Sequence, residues 1–512
     1  MLLHHFLDRT AHRLPDKTAL VCDGRRHTYA ELARRVDALA GVLRAGGVRR
    51  GDRVALFLDN GPELVAGIFA ALRLGAVFVP INPLTKREKL AHVLNDAEAS
   101  AMIAHWPLKN AWEPALAANA SVRCCLVAGV PAAKAGVLPA RCQPYPEAGE
   151  PSTAAGIEAA TIDQDLASII YTSGTTGDPK GVMMSHLNMI SAAHSVIEYL
   201  GLRDDDVIMC VLPLAFSYGL YQLLMSVRVG ATLVLEQSFA FPTQVLERMA
   251  GERVTVFPGV PTIFSLLMQI KGLDHFDLSA LRTITSAAAA LSEEHIRRLR
   301  ALFPQARLYS MYGQTECKRA TYLPPEQLDI RPASVGRGMP NVELWLVDEE
   351  GNRLPDGSTG ELVIRGSNVM RGYWRKPEET ARRLRPGPLP GELVLHTGDL
   401  FRSDAEGWLH FVARKDDIIM TRGEKVSPRE VENAIFGLEG VLEVAVIGVA
   451  DEVLGQAVKA FVVPREGIEL TEREVIRHCL AHLENFMAPK TVAFVPGLPK
   501  TDTGKIRKIG LA

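Results

Sequence analysis

No run in this 512-residue chain reaches the roughly 18 consecutive apolar residues that a membrane-spanning helix needs. The first residues, MLLHHFLDRTAHRLPDK, carry Asp8, Arg9 and Arg13 and lack an apolar core followed by a small-residue cleavage site. They do not read as a signal peptide, and the cytoplasm is the expected compartment. The seven cysteines form neither a CxxC pair nor a zinc-like Cys/His spacing, and seven is an odd number for a disulfide framework, so reduced and mostly buried thiols are expected. Charge of one sign is also missing: 57 Lys and Arg stand against 59 Asp and Glu, a formal net charge of −2 with no long block of either kind. That balance argues against nucleic acid or an acidic membrane surface as the main partner and favours a small ligand. No repeat of fixed period and no Ser/His/Asp constellation stands out, and His4, His5 and His12 read as surface or core residues.

What remains is globular. Apolar residues make up 47% and charged residues 23%, which excludes a mainly disordered or collagen-like chain. The length exceeds what one hydrophobic core organises, so at least two domains are expected. Thr28 and Glu31 form a capping box, with Leu32, Val36, Leu39 and Leu43 following at helical spacing up to Gly46 and Gly47. An apolar run at 54–58, a helical stretch at 63–74 and an apolar run at 77–79 then give the strand, helix, strand rhythm of a parallel sheet covered by helices. The Ala, Pro and Gly content of 112–160 suggests a surface excursion with little chemistry. Beyond Gly360, GELVIRG, ELVLHTG and GWLHFVARKDD suggest a small antiparallel unit. The last hundred residues, with a helix at 427–436, strands at 441–449 and 457–463 and a Thr471/Glu474 box, read as a separate α+β lid. The expected architecture is a large α/β domain over 1–415 and a smaller α+β domain over 416–512.

The segment YTSGTTGDPKG at 171–181 follows an apolar run. Alternating hydroxyls and glycines after a strand let backbone N–H and side-chain O–H groups close around phosphate oxygens, and Lys180 adds a positive charge. Pro179 before Lys180 and Gly181 after it depart from the Walker pattern. By composition alone, a flexible Ser/Thr/Gly surface loop is an equal alternative.

Five segments in order decide between them. TSGTTGDPKG at 172–181, YGQTE at 312–316, HTGD at 396–399, the stretch from Arg414 to Asp416 and PKTDTGK at 499–505 resemble the phosphate loop, YGxTE, TGD, hinge and terminal-lysine segments of the adenylate-forming superfamily. That superfamily includes acyl-CoA synthetases, stand-alone adenylation enzymes and beetle luciferases, and the resemblance runs from about Thr18 to Lys505. It implies that Thr172, Ser173, Gly174, Thr175, Thr176, Gly177 and Lys180 cradle phosphate. It also implies that Tyr312 faces adenine, that Thr315 meets the α-phosphate and that Glu316 holds Mg²⁺. Each role suits its residue type, a hard carboxylate for Mg²⁺ among them. Asp399 and Arg414 would hold the ribose hydroxyls. Lys505 would bridge the substrate carboxylate and the α-phosphate, as electrostatic catalysis with no general base. Rotation about Asp416 would then withdraw Lys505 and bring the 421–427 loop over a thiol tunnel.

PLAFSYG at 213–219 resembles the segment lining the acid and thiol channels. CoA-forming members often carry His where Phe216 stands, and carrier-loading members often carry Phe. Amino-acid-activating members carry Asp where Ser217 stands, so an α-amino acid is disfavoured, its buried ammonium lacking a partner. With Val260, Ala287, Ala288 and Met311, these residues suggest an apolar wall for a fatty or aryl acid, although an alanine run at 287–290 is also what plain packing would produce. Lys318, Arg319, Arg422 and Lys425 read as a basic rim able to meet CoA phosphates or an acidic carrier. The reading is thus an ATP-dependent carboxylic acid:CoA ligase. The alternatives are a ligase loading the phosphopantetheine of a carrier protein and, in another class, a non-catalytic nucleotide or acyl sensor.

Overall fold

The computed structural model describes residues 1–146, 160–172, 179–287, 291–421, 424–451, 453–500, 506–508, 510 and 511, apart from the side chains of Asp416 and Lys425. Ser173, Gly174, Thr175, Thr176, Gly177, Ala288, Arg422 and Lys505 lie outside the described residues.

Short apolar strands alternating with amphipathic helices build two mainly parallel sheets. In the first, Arg53–Phe57 is flanked by Val77–Ile81 and Ala99–His105, and Leu166–Thr172 runs parallel to Val77–Ile81. Lys180–Ser185 and Gly372–Tyr373 close that edge antiparallel. In the second, Val207–Cys210, Thr232–Leu235, Val256–Gly259, Thr283–Ser286 and Arg307–Tyr312 lie parallel, joined by Thr18–Cys22. The helices Tyr29–Ala45, Pro62–Arg73, His186–Leu200 and Ser217–Val229 share one apolar core with both sheets. The capping box of the first forms as the sequence implies, with Leu32, Val36, Leu39 and Leu43 buried.

The segment after Trp112 is not a plain surface excursion. Trp112 is fully buried, and Cys124–Ala128 and Cys142–Pro144 extend the first sheet in parallel beyond Ala99–His105. Their alternation was hidden because every residue of Cys124–Ala128 is buried, leaving no polar face to mark a strand.

Val342–Val347, Thr359–Gly366, Leu393–Ser403, Leu384–Pro386 and Leu409–Arg414 form an antiparallel sheet that begins before Gly360. From Ile419 onward the chain builds a further, mixed sheet, antiparallel except where Thr491–Phe494 runs parallel to Gly455–Pro464, and it carries the helices Pro428–Phe436 and Glu472–His482. This unit has its own core, including Val431, Ile435, Val446, Val458, Val475 and Cys479. It meets the larger unit where Phe436 lies 4.8 Å from the His295 ring and Ser427 Oγ donates to Val412 O at 2.6 Å. Among the described residues no helix is long and apolar enough to cross a membrane.

Candidate active site

The strand Arg307–Tyr312 leaves its sheet into a tight turn, in which the N–H groups of Cys317 and Lys318 both donate to Gln314 O, at 3.2 and 2.7 Å. A Cβ on Gly313 would stand 2.2 Å from Lys318 O, so only glycine lets the turn fold back on itself. The turn places two side chains on Asp399: Tyr312 Oη donates to Asp399 Oδ2 at 2.8 Å and Gln314 Nε2 to the same oxygen at 2.7 Å. The strand pair carrying Asp399 and Arg414 puts them opposite each other in register, with Arg414 Nε 3.4 Å from Asp399 Oδ1. Asp399 is only 4% exposed, and its Oδ1 accepts no hydrogen bond among the described residues. Burial raises the carboxyl's pKa, against the opposing pull of Arg414 and the two donors. The Tyr312 ring stands edge-on to Phe401 at 4.8 Å.

Farther along the turn, Thr315 and Glu316 are half-buried. Glu316 Oε1 accepts from Tyr373 Oη at 2.8 Å, and Oε2 carries no hydrogen bond among the described residues. Burial, with Glu316 adding to it, pushes the Tyr373 phenol up, so it stays a donor. The ends of the phosphate-loop segment are fixed as a hairpin by the pairing of Thr172 with Lys180. Lys180 is ion-paired to Glu379 and lies 5.8 Å from the Tyr373 ring. Of the nucleotide-side residues of the sequence reading, Tyr312 and Arg414 thus converge on Asp399, and Glu316 and Lys180 on Tyr373, while Thr315 lies between them on the turn. An open, buried acceptor at Asp399 fits a sugar hydroxyl, and a carboxylate with one free oxygen at Glu316 fits a hard cation.

On the acid side, Phe216 immediately precedes the helix Ser217–Val229, and Val260 immediately precedes Pro261–Leu267. Ala287 is buried at the end of Thr283–Ser286. A Cβ on Gly219 would lie 2.4 Å from Pro213 O, which fixes the approach of the PLAFSYG turn to its own helix. Of the predicted wall residues, Met311 lines an internal cavity with Tyr218, Thr285 and Arg319, whereas Phe216, Ser217, Val260 and Ala287 do not line it.

Lys318 and Arg319 are not a basic rim. They are 1% and 6% exposed, and Lys318 Nζ donates to Ser217 Oγ at 3.4 Å. Burial lowers the Lys318 ammonium to about 7. Basic residues are ordinarily exposed, and nothing in the local sequence marks these two as inward-facing. Sequence reasoning also missed Gln314, Tyr373, Glu379 and Glu361. Gln314 was findable as the variable position of YGQTE; the others meet the site only through the fold.

The AMP-binding enzyme family model matches residues 7–374, and the AMP-binding enzyme C-terminal domain model matches 430–505. A feruloyl-CoA synthase of Amycolatopsis sp is 35% identical over 98% of this chain and 96% of its own length. A long-chain-fatty-acid–CoA ligase of Bacillus subtilis is 31% identical over 98% and 93%. The crystal structure of an anthranilate CoA ligase in complex with anthranoyl-AMP superimposes with a TM-score of 0.91 at 28% identity, covering 100% of this chain and 96% of that one. The chain belongs to the AMP-binding enzyme family, the adenylate-forming enzymes. Within it, this is an AMP-forming acid–thiol ligase of the acyl-CoA synthetase kind, which leaves the non-catalytic sensor without support.

Proposed function

We propose that this enzyme couples an acid with an apolar body, fatty or aryl, to CoA through an acyl-adenylate. The observation that carries the nucleotide half is Asp399: a buried carboxylate with one oxygen held by Tyr312 and Gln314 and the other open beside Arg414. It would accept the ribose hydroxyls, while the edge-packed Tyr312 presents its ring to adenine. Glu316, fixed by Tyr373, would hold Mg²⁺, which when bound neutralises phosphate charge as pyrophosphate leaves. Thr315, Lys180 and the loop 172–177 would meet the phosphates. The substrate carboxylate is itself the nucleophile, so the protein's task is to position it and stabilise the charge that accumulates, the role given to Lys505.

The apolar lining around Met311, with Val196, Leu200 and Met225, supports an apolar acid, and the relatives named above act on feruloyl, anthranoyl and long-chain groups. Phe216 and the wall residues Val260, Ala287 and Ala288 are assigned to the neighbouring channel. CoA is preferred over a carrier phosphopantetheine because the full-length relatives named are CoA ligases. The cytoplasm, where ATP and CoA are available, is the proposed compartment. The boundary is placed at residue 415, with Asp416 as the hinge. A screen of fatty, aryl and amino acids with ATP and CoA, read by pyrophosphate release and thioester formation, tests this reading. Turnover confined to amino acids, or to carrier protein in place of CoA, contradicts it.

A further inference from the structure

Two adjacent basic side chains, Lys318 and Arg319, are buried beside the acid channel. Among the described residues no carboxylate lies within ion-pair distance of Lys318 or Arg319. Among the described residues Arg319 Nη1 donates only to the neighbouring carbonyl of Lys318 at 2.9 Å and Nε has no hydrogen-bond partner, while the guanidinium lies 4.3 Å from the Tyr218 ring centroid. The phenols around it do not supply an anion, because burial raises the pKa of Tyr199 and Tyr221 and pushes Tyr218 up to about 12.

The chain holds these side chains in place at a cost. Lys318 has φ of 65°, a left-handed conformation that costs a non-glycine residue about 1 kcal/mol or more. Asn368 Nδ2 brackets the pair by donating to Cys317 O at 2.8 Å and Arg319 O at 2.7 Å. The cavity that Arg319 lines is otherwise apolar or neutral, with Val196, Met225, Met311, Tyr218 and Thr285 on its walls. A buried guanidinium facing an apolar cavity is costly unless an acceptor arrives to meet it. The cavity abuts the helix Ser217–Val229, whose first residue meets Lys318, so the acceptor that arrives with the acid is the one within reach.

We propose that the acid activated here carries a second oxygen acceptor, a carboxylate or a carbonyl, at the end of an apolar body remote from the reacting carboxylate, and that Arg319, backed by Lys318, receives it. This rests on the ligase reading above and narrows its substrate class. Arg319 is a specificity residue in this assignment and takes no part in the chemical step. A guanidinium offers paired donors to a planar carboxylate and a single strong donor to a ketone, so both acceptors fit and the anion fits better.

The test uses the whole enzyme with ATP and CoA and compares matched acids: 3-phenylpropanoate with its 4-carboxy and 4-acetyl counterparts, and octanoate with octanedioate. Pyrophosphate release gives kcat/KM for each. The expected result is at least a tenfold preference for an acceptor-bearing acid over its plain partner in one of the two frames. The 4-acetyl arm separates hydrogen bonding from ion pairing. Arg319→Leu should abolish or invert the preference and Arg319→Lys should restore part of it. Because Arg319→Leu removes a packed side chain, the wild-type panel stands without it. Plain acids turned over as well as or better than their acceptor-bearing partners overturn the inference while leaving the ligase reading intact. A wild-type preference that survives in folded Arg319→Leu overturns the assignment of Arg319. Failure to release pyrophosphate with every acid contradicts the ligase reading itself and takes the inference with it.

Discussion

Two neutral donors and a guanidinium converge on the buried Asp399 carboxylate, the geometry on which its proposed role in holding the nucleotide rests. A charge-assisted hydrogen bond contributes about 1.5–3 kcal/mol, so Asp399→Asn should raise KM for ATP on the order of 10- to 100-fold, measured by pyrophosphate release at saturating acid. Lys505→Ala should cut acyl-adenylate formation on the order of 10²-fold or more and spare thioester formation from supplied acyl-adenylate. Adenylation within a few-fold of wild type would remove Lys505 from its role. Ser217 was legible as the residue that denies an α-amino acid its carboxylate partner, but its neighbour was not. Replacing it with Asp would place the new carboxylate beside Lys318 and form an ion pair with that ammonium instead of one with a substrate. Pyrophosphate exchange with α-amino acids should therefore stay low in Ser217→Asp, and a strong gain would contradict the geometry.

At the scale of elements, the 312–318 turn reaches the Asp399/Arg414 strand pair through Tyr312 and Gln314, and Glu316 of the same turn bonds Tyr373, whose ring lies 5.8 Å from Lys180. Glu361, on the strand Thr359–Gly366, ties that antiparallel sheet to the approach to the small unit: Gly398 N–H donates to Oε1 at 2.8 Å and Lys415 Nζ to Oε2 at 2.9 Å. Burial alone would raise this carboxyl, but the neighbouring His396, Lys415 and Gly398 N–H more than reverse it and hold it at about 2, below the ordinary 4.5. A depressed native pKa stabilises fully above the unfolded value and is lost as the group is protonated. Stability should therefore fall between about pH 4.5 and 2. The urea midpoint of Glu361→Gln should be lower at neutral pH and flatter over that window; an unchanged acid slope would remove Glu361 as its source. Capping boxes and amphipathic helices were readable because their signals are local. The edge strands at Cys124–Ala128 and Cys142–Pro144 were not, since a fully buried run and a three-residue strand carry no alternation to read.

The whole molecule joins a large α/β unit to a small one with its own core, and that division into two architectures was legible in the sequence from composition and motif order. The sequence could not place the inward turn of Lys318 and Arg319, which depends on helix and strand packing contributed from more than a hundred residues away. If rotation about Asp416 links the half-reactions, Asp416→Pro should damage one of them far more than the other, because proline fixes φ and favours one orientation. Equal loss of both in folded protein would count against rotation. The most direct measurement mixes the purified enzyme with ATP, Mg²⁺ and an apolar acid, follows acid-dependent exchange of labelled pyrophosphate into ATP, then adds CoA. The expected result is exchange before CoA, followed by AMP, pyrophosphate and acyl-CoA in equal amounts. Release of ADP and phosphate, or thioester formation with no acid-dependent exchange, would contradict an acyl-adenylate as the intermediate.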